Sequence, residues 1–168
     1  PSDTHGQLTR VISEAEAALD TDSQLASSFK NAGNVIVPSF FMLGEPQGKP
    51  DGPLPAHVLP SALDDSAGFS MAAITGQHAI ESLGGAAAGA GHLNQLQDVD
   101  GAVRQEPLLV NYYGKAVPSV ALLAAVKSLN LGMADVKLNG HESVQIGKLR
   151  IKTDEAALML PQFYKGRD

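Results

Sequence analysis

The stretch Asn34-Val35-Ile36-Val37-Pro38-Ser39-Phe40-Phe41-Met42-Leu43 decides the fold class. β-Branched and aromatic residues follow one another with almost no alternation, which predicts a strand covered on both faces. A helix precedes it, with Asp22 or Ser23 as N-cap, Leu25 and Phe29 turned inward four residues apart, and Lys30 in the last turn. Gly33 then takes the left-handed conformation that closes a helix. A helix passing through a glycine into a buried strand is half of an α/β unit. Further upstream, Leu8, Ile12, Ala15 and Leu19 share one helical stripe opposite Arg10, Glu14 and Glu16, which predicts a short amphipathic helix.

Downstream, Gly44 to Pro60 carries Pro46, Pro50, Pro53, Pro55 and Pro60 and reads as a surface loop crossing one sheet edge. Loops of that length mark function or mobility. Between Ala72 and Ala88, Ile74, Ile80 and Leu83 suit a helix that Gly76, Gly84 and Gly85 interrupt, so a broken helix is predicted. A short strand from His92 to Leu96, a turn at Asp98 to Gly101 and a second strand from Val103 to Tyr113 follow. Pro107 requires an edge, a bulge or an unpaired position in that strand. Ala116 and Val117 form a return strand, and Pro118-Ser119 opens a helix to Asn130, with Ser119 as cap. Leu122, Leu123, Val126 and Leu129 make it the most buried helix.

The remainder is a meander: Asp135 to Leu138, the hairpin signal Asn139-Gly140, Val144 to Ile146, Leu149 to Lys152, and a last run from Ala157 to Tyr164. Helices mixed with buried and hairpin strands predict an α/β or α+β fold: a single domain with a central mixed β-sheet flanked by helices.

Composition narrows the function. The 168 residues suit one domain. Lys and Arg total 12 against 18 Asp and Glu, a net charge of −6, which argues against binding a phosphate backbone. The absence of cysteine removes disulfides, thiolate metal sites and cysteine nucleophiles. The longest apolar run, Ala116 to Val126, is interrupted at Pro118 and Ser119 and falls short of the ~20 residues of a membrane helix. No basic segment followed by an apolar one opens the chain, which starts at Pro1 and is read as an excised piece.

Chemistry-bearing patterns are sparse. His5, His57, His78, His92 and His141 share no short ligand spacing, so no metal site is predicted. His92, at the start of an apolar strand, reads as a core histidine hydrogen-bonded to backbone. The glycines from Gly84 to Gly91 precede a strand, whereas a dinucleotide loop follows one and opens a helix; they read as close-packed turn backbone. Gly48-Lys49, Gly114-Lys115 and Gly147-Lys148 are followed by Pro, Ala and Leu, so no phosphate loop is present. There is no Gly-x-Ser-x-Gly elbow. Asp98-x-Asp100-Gly101 lacks the spacing of a calcium loop and reads as a tight turn, with the aspartates capping N–H groups, Gly101 at positive φ and Arg104 bracing the carboxylates. The acids Glu14, Glu16 and Glu155 form no catalytic pair.

The string Gly89-Ala90-Gly91-His92-Leu93-Asn94, then Asp98-x-Asp100-Gly101-x-x-Arg104-x-x-Pro107-Leu108, Tyr112-Tyr113-Gly114 and Val117-Pro118-Ser119-Val120-Ala121-Leu122, resembles the second family of CHASE domains, the cyclase and histidine-kinase associated sensory extracellular domains. Asp20 to Pro38 is similar too, so the resemblance covers most of Asp20 to Leu129. It implies an extracytoplasmic sensor, periplasmic or extracellular, in a bacterial membrane receptor with membrane helices on either side. A nucleotide cyclase, histidine kinase, Ser/Thr kinase or diguanylate cyclase is the implied output. It implies no catalysis and no cofactor in the domain, and makes Asp98, Asp100, Gly101, Pro107, Pro118 and Ser119 framework residues. Residues 1–168 are then one sensory domain lacking the family's first strand, and Gln162 to Gly166 matches the closing strand only loosely.

A pocket for a small-molecule or protein ligand is expected where the loop Gly44 to Pro60 approaches Asn94, Arg104 and Tyr112. The competing reading is that these residues brace the hairpin. Two other functions remain open: a small soluble α/β hydrolase or transferase using His92, Asp98 and Asp100, and a mechanical spacer that forms a homodimer.

Overall fold

The computed structural model describes residues 4–162. The chain begins with helices α1 (Thr4–Leu19) and α2 (Thr21–Ala32), joined at Asp20. Asp20 is the N-cap of α2, rather than Asp22 or Ser23: its carboxylate accepts from Ser23 N at 3.0 Å, and hydrogen bonds from Ser23 hold its carboxyl below the ordinary range. Gly33 closes α2 at φ 67°, as expected, donating its N–H to Phe29 O. The apolar stripe of α1 faces open space, with Leu8, Val11, Ile12 and Leu19 all exposed. Leu25 is exposed as well, and Phe29 alone of the predicted inward pair packs against the core.

Strand β1 (Ile36–Leu43) alternates: Val37, Ser39 and Phe41 are buried, while Pro38, Phe40 and Met42 are exposed. The expectation of two covered faces is therefore corrected. One face packs on the core, and the other keeps an apolar composition without a covering layer. The loop after β1 contains no helix or strand until a single 3-10 turn at Leu59–Ser61, but it is not confined to the surface, since Leu54 and Val58 plug the core.

Next come β2 (Leu63–Asp64), β3 (Met71–His78), the one-turn helix α3 (Glu81–Gly84) and β4 (Gly89–His92). The predicted broken helix over Ala72 to Ala88 is thus a strand as far as His78, followed by one helical turn at Glu81–Gly84. Its glycines serve packing: a Cβ on Gly76, which pairs with Phe41, would lie 2.8 Å from the Phe41 ring and from His78 Nε2. A Cβ on Gly91 in β4 would lie 2.9 Å from Val120 N, so the glycine run lets β4 press against the start of the following helix.

The predicted strand from Val103 to Tyr113 is two strands in different sheets. After β5 (Leu96–Gln97), β6 (Val103–Pro107) ends at the proline, and β7 (Leu109–Tyr112) and β8 (Lys115–Pro118) form a tight hairpin. Leu108, between them, donates to Ala157 O at 3.1 Å and accepts from Ser119 N at 2.9 Å. Helix α4 (Val120–Ser128) starts at Ser119, whose Oγ accepts from Leu122 N, and buries Leu122, Leu123 and Val126, whereas Leu129, expected to be buried with them, lies at the C-cap and is exposed. A 3-10 turn (Met133–Asp135) leads into β9 (Val136–Asn139), β10 (Ser143–Ile146) and β11 (Leu149–Lys152), the expected meander. The last predicted run shrinks to β12 (Leu158–Met159), which pairs with β6; its residues Phe163 and Tyr164 lie outside the described residues.

The main sheet has the order β2-β8-β7-β3-β1-β4 and is mixed, with β1–β4 and β3–β7 parallel and the other pairs antiparallel. A parallel bridge between His92 and Ser119 draws β4 back to the end of β8, so the sheet curls around Val37, Phe41, Ala73, Ala90, Val110 and Val117. A second core, including Leu109, Leu122, Val126, Val144 and Ile146, joins the hairpin and α4 to the meander. The architecture is α+β, one mixed sheet with helices and two smaller sheets around it.

Candidate functional site

The acidic turn is built as its spacing predicts. Gly101 sits at φ 78° and donates to Asp98 O at 2.8 Å, while Ala102 N donates to Asp100 Oδ1 at 3.1 Å. Arg104 clamps both carboxylates, reaching Asp98 Oδ2 and both oxygens of Asp100 at 2.6 to 2.8 Å. The Arg104 bonds hold the Asp100 carboxyl below its ordinary range, and the two carboxylates raise the guanidinium in turn. All three side chains are 43–57% exposed, so water screens them and the pairs contribute little to stability. Both aspartates are turned toward the arginine.

Asn94 is buried, and its amide is spent on the backbone of Phe41, accepting from Phe41 N at 3.0 Å and donating to Phe41 O. Tyr112 is buried against Phe41 and Tyr113, and its hydroxyl donates to Gly52 O at 2.9 Å, which is where the long loop reaches it. Burial is the first cause of its raised pKa. Asn94, Arg104 and Tyr112 are therefore not gathered into one pocket. Asn94 and Arg104 border neighbouring clefts that meet at Pro161, and Tyr112 lies in the core under the loop.

The cleft beside Asn94 has a volume of about 490 Å³ and runs between the end of β4, the first turns of α4, Glu106 of β6 and the β12 segment. His92 lines it and is 1% exposed. Its Nδ1 accepts from Asn94 N at 3.2 Å, which puts the ring proton on Nε2. The expected backbone-bonded core histidine is what the structure shows, except that Nε2 is buried without a partner among the described residues. Burial pushes the His92 pKa down to about 4, so the ring is neutral at pH 7. Glu106, half-buried across the cleft, is raised by desolvation. Asp98 and Asp100 do not line this cleft, so His92 is not joined to the acidic turn.

Three further polar constructions had no motif to announce them. Asp65 is 3% exposed and accepts from Phe69 N at 2.9 Å, Ser70 N at 3.0 Å, Asn111 Nδ2 at 2.9 Å and, by a short bond, Ser70 Oγ. It ties the turn before β3 to β7, and the spacing Asp65-x-x-Gly68-x-Ser70 is the one trace of it in the sequence. Ser39 and His78, cross-strand neighbours on β1 and β3, are joined at 2.9 Å between Oγ and Nδ1. Burial, followed by the nearby His57, lowers the His78 pKa. His57 has a buried ring whose Nδ1 meets Glu81 at 2.9 Å. Among the described residues, no group of three or more His, Asp or Glu side chains converges as a metal site would require, and no helix is long and apolar enough to cross a membrane.

No curated protein and no solved structure matches the chain. The family comparison does: the match to the CHASE2 domain runs over residues 1–168. That span takes in the clamped turn, the β7–β8 hairpin, the capped α4 and the helix–Gly33–strand junction together. The chain belongs to the CHASE2 domain family, an extracellular sensory domain family of signalling receptors.

Proposed function

We propose that this domain is the extracytoplasmic sensing part of a bacterial membrane-anchored receptor, recognising a small-molecule or protein ligand and relaying its presence to a cytoplasmic output. The output is a nucleotide cyclase, a histidine kinase, a Ser/Thr kinase or a diguanylate cyclase, and the domain has no catalysis of its own. The observation that carries this reading is the family match over residues 1–168. A ligand signals by binding one arrangement of the domain, or of its homodimer, better than another. The exposed apolar stripe of α1, with Leu8, Val11, Ile12 and Leu19, supports a homodimer.

The hydrolase or transferase reading has weaker support. Asp98 and Asp100 are held by Arg104 while His92 lines a separate cleft, and His78, bonded to Ser39, pairs with no carboxylate among the described residues.

The test places the domain in its parent protein. Membranes bearing the full-length parent are assayed for output with metabolite pools added on the extracytoplasmic side only. A change in output that disappears when residues 20–129 are replaced by an unrelated domain supports the reading. A parent that fractionates as a soluble protein overturns it.

A further inference from the structure

Two residues lining the cleft between β4, α4 and Glu106 carry polar groups that have no partner among the described residues. The first is His92 Nε2–H. Because Asn94 N–H occupies Nδ1, the proton is on Nε2, and that donor is buried with no acceptor among the described residues. A buried donor without a partner is destabilising, so a group that supplies an acceptor is favoured there. The second is the Glu106 carboxylate, to which no side chain among the described residues donates. Among the described residues it is the one charged residue lining the cleft. The opposite walls are apolar, formed by Val120 and Ala121 of α4 and by Met159 and Pro161.

These features select a ligand by charge and by polarity. A carboxylate or phosphate would meet an uncompensated negative charge and a single neutral donor, which cannot offset its desolvation. An ammonium group, by contrast, gives Glu106 a counter-ion, and a neutral oxygen gives His92 its acceptor. The net charge of −6 favours the same sign of ligand.

We propose that this cleft is the ligand site of the domain and that it takes a small organic ammonium bearing a carbonyl or hydroxyl oxygen. The ammonium pairs with Glu106, the oxygen accepts from His92 Nε2–H after displacing the side chains that cover the buried ring, and the apolar skeleton lies against Val120, Ala121 and Met159. The proposal rests on the sensory reading above, and it names the chemistry of what is sensed.

Three probes of one carbon skeleton test it on the whole chain: L-leucinamide, with ammonium and carbonyl; isoamylamine, with ammonium alone; and 4-methylvalerate, with oxygen and a negative charge. Binding is read by calorimetry and by the imidazole resonances of His92. L-Leucinamide is expected to bind at millimolar concentration and to shift the His92 signals, isoamylamine to bind several-fold more weakly, and 4-methylvalerate not to bind. Glu106→Gln, at a half-buried position, is expected to raise the Kd of L-leucinamide at least tenfold, and Ala121→Phe, on the exposed side of α4, to abolish binding. Both variants are first shown to melt like the parent chain. No binding by L-leucinamide, equal binding by the two amines, binding of 4-methylvalerate, or an unchanged Kd in Glu106→Gln would each overturn the proposal. Those outcomes leave the receptor-output experiment untouched, so failure of the ligand chemistry and failure of the sensory reading are told apart.

Discussion

The Asn94 side chain completes the backbone of Phe41, with Phe41 N donating to Asn94 Oδ1 at 3.0 Å and Asn94 Nδ2 donating to Phe41 O at 2.6 Å. Strand β4 pairs with β1 only as far as His92 opposite Ser39, and Leu93 N then donates to Ser39 O. Beyond that point a side-chain amide continues the pairing that the backbone has stopped providing. Asn94→Ala leaves a buried N–H and a buried C=O without partners. The expected loss is about 2–4 kcal/mol, or roughly 5–15 °C in the melting midpoint. Calorimetry checks this, and a loss within a degree or two would show that water replaces the amide.

Asp65 accepts four hydrogen bonds at a position 3% exposed, including Phe69 N, Ser70 N and Asn111 Nδ2. Replacing it by Ala strands donors from two segments at once. Asp65→Ala is expected to cost about 3 kcal/mol or more, since hydrogen bonds to a charged acceptor are worth more than neutral ones. Urea midpoints at pH 7 measure it, and a fall no larger than that of a surface substitution would remove Asp65 from the framework.

The His92 pKa is lowered to about 4 in the folded chain by burial, against 6.5 when unfolded. Between those values the unfolded chain binds a proton that the folded chain does not, so stability is fully present above pH 6.5 and falls with the pH toward 4. The whole effect amounts to about 3 kcal/mol. Glu106 on the same cleft is raised, so its own contribution runs the other way, being lost as pH rises. Comparing the parent chain with His92→Gln isolates the histidine: the parent should lose stability from pH 7 to pH 5, and the variant should lose much less of it. Parallel pH profiles would mean that His92 does not control the acid limb.

The Arg104 clamp makes short bonds to Asp98 and Asp100 in solvent. Arg104→Ala should therefore lower the melting midpoint much less than Asn94→Ala, and raised salt should shrink the difference further. Gly101→Ala, at φ 78° with no atom near the added methyl, should cost about 1 kcal/mol through backbone strain alone. If Arg104→Ala proves the more damaging of the two in high salt, the turn depends on a contact other than the ion pairs.

Local chemistry made much of the chain legible. Gly33, Gly101 and Ser119 took the conformations and caps that their residue types and spacing predict, because helix ends and tight turns depend on a few neighbouring residues. The buried α4 and the β9–β11 meander were readable for the same reason: their periodicity lies within ten residues or so. Met71 to His78 was misread because Gly76 looks like a helix breaker until Phe41 is placed opposite it. Val103 to Tyr113 read as one strand because nothing local marks Leu108 as the place where the chain leaves one sheet for another.

By itself, the sequence determined a single acidic domain of mixed helix and strand without cysteine, α/β or α+β, its clamped turn, its capped helices and, through spaced motifs, its family. The tertiary structure alone decided which polar groups are left over. Asn94 turned out to be consumed by Phe41, Arg104 by two aspartates and Tyr112 by Gly52, whereas His92 Nε2 and the Glu106 carboxylate, on two residues lining one cleft, have no partner among the described residues. The physical reason is that a hydrogen-bonding group is spent or spare according to neighbours tens of residues away, and spacing along the chain carries no record of them.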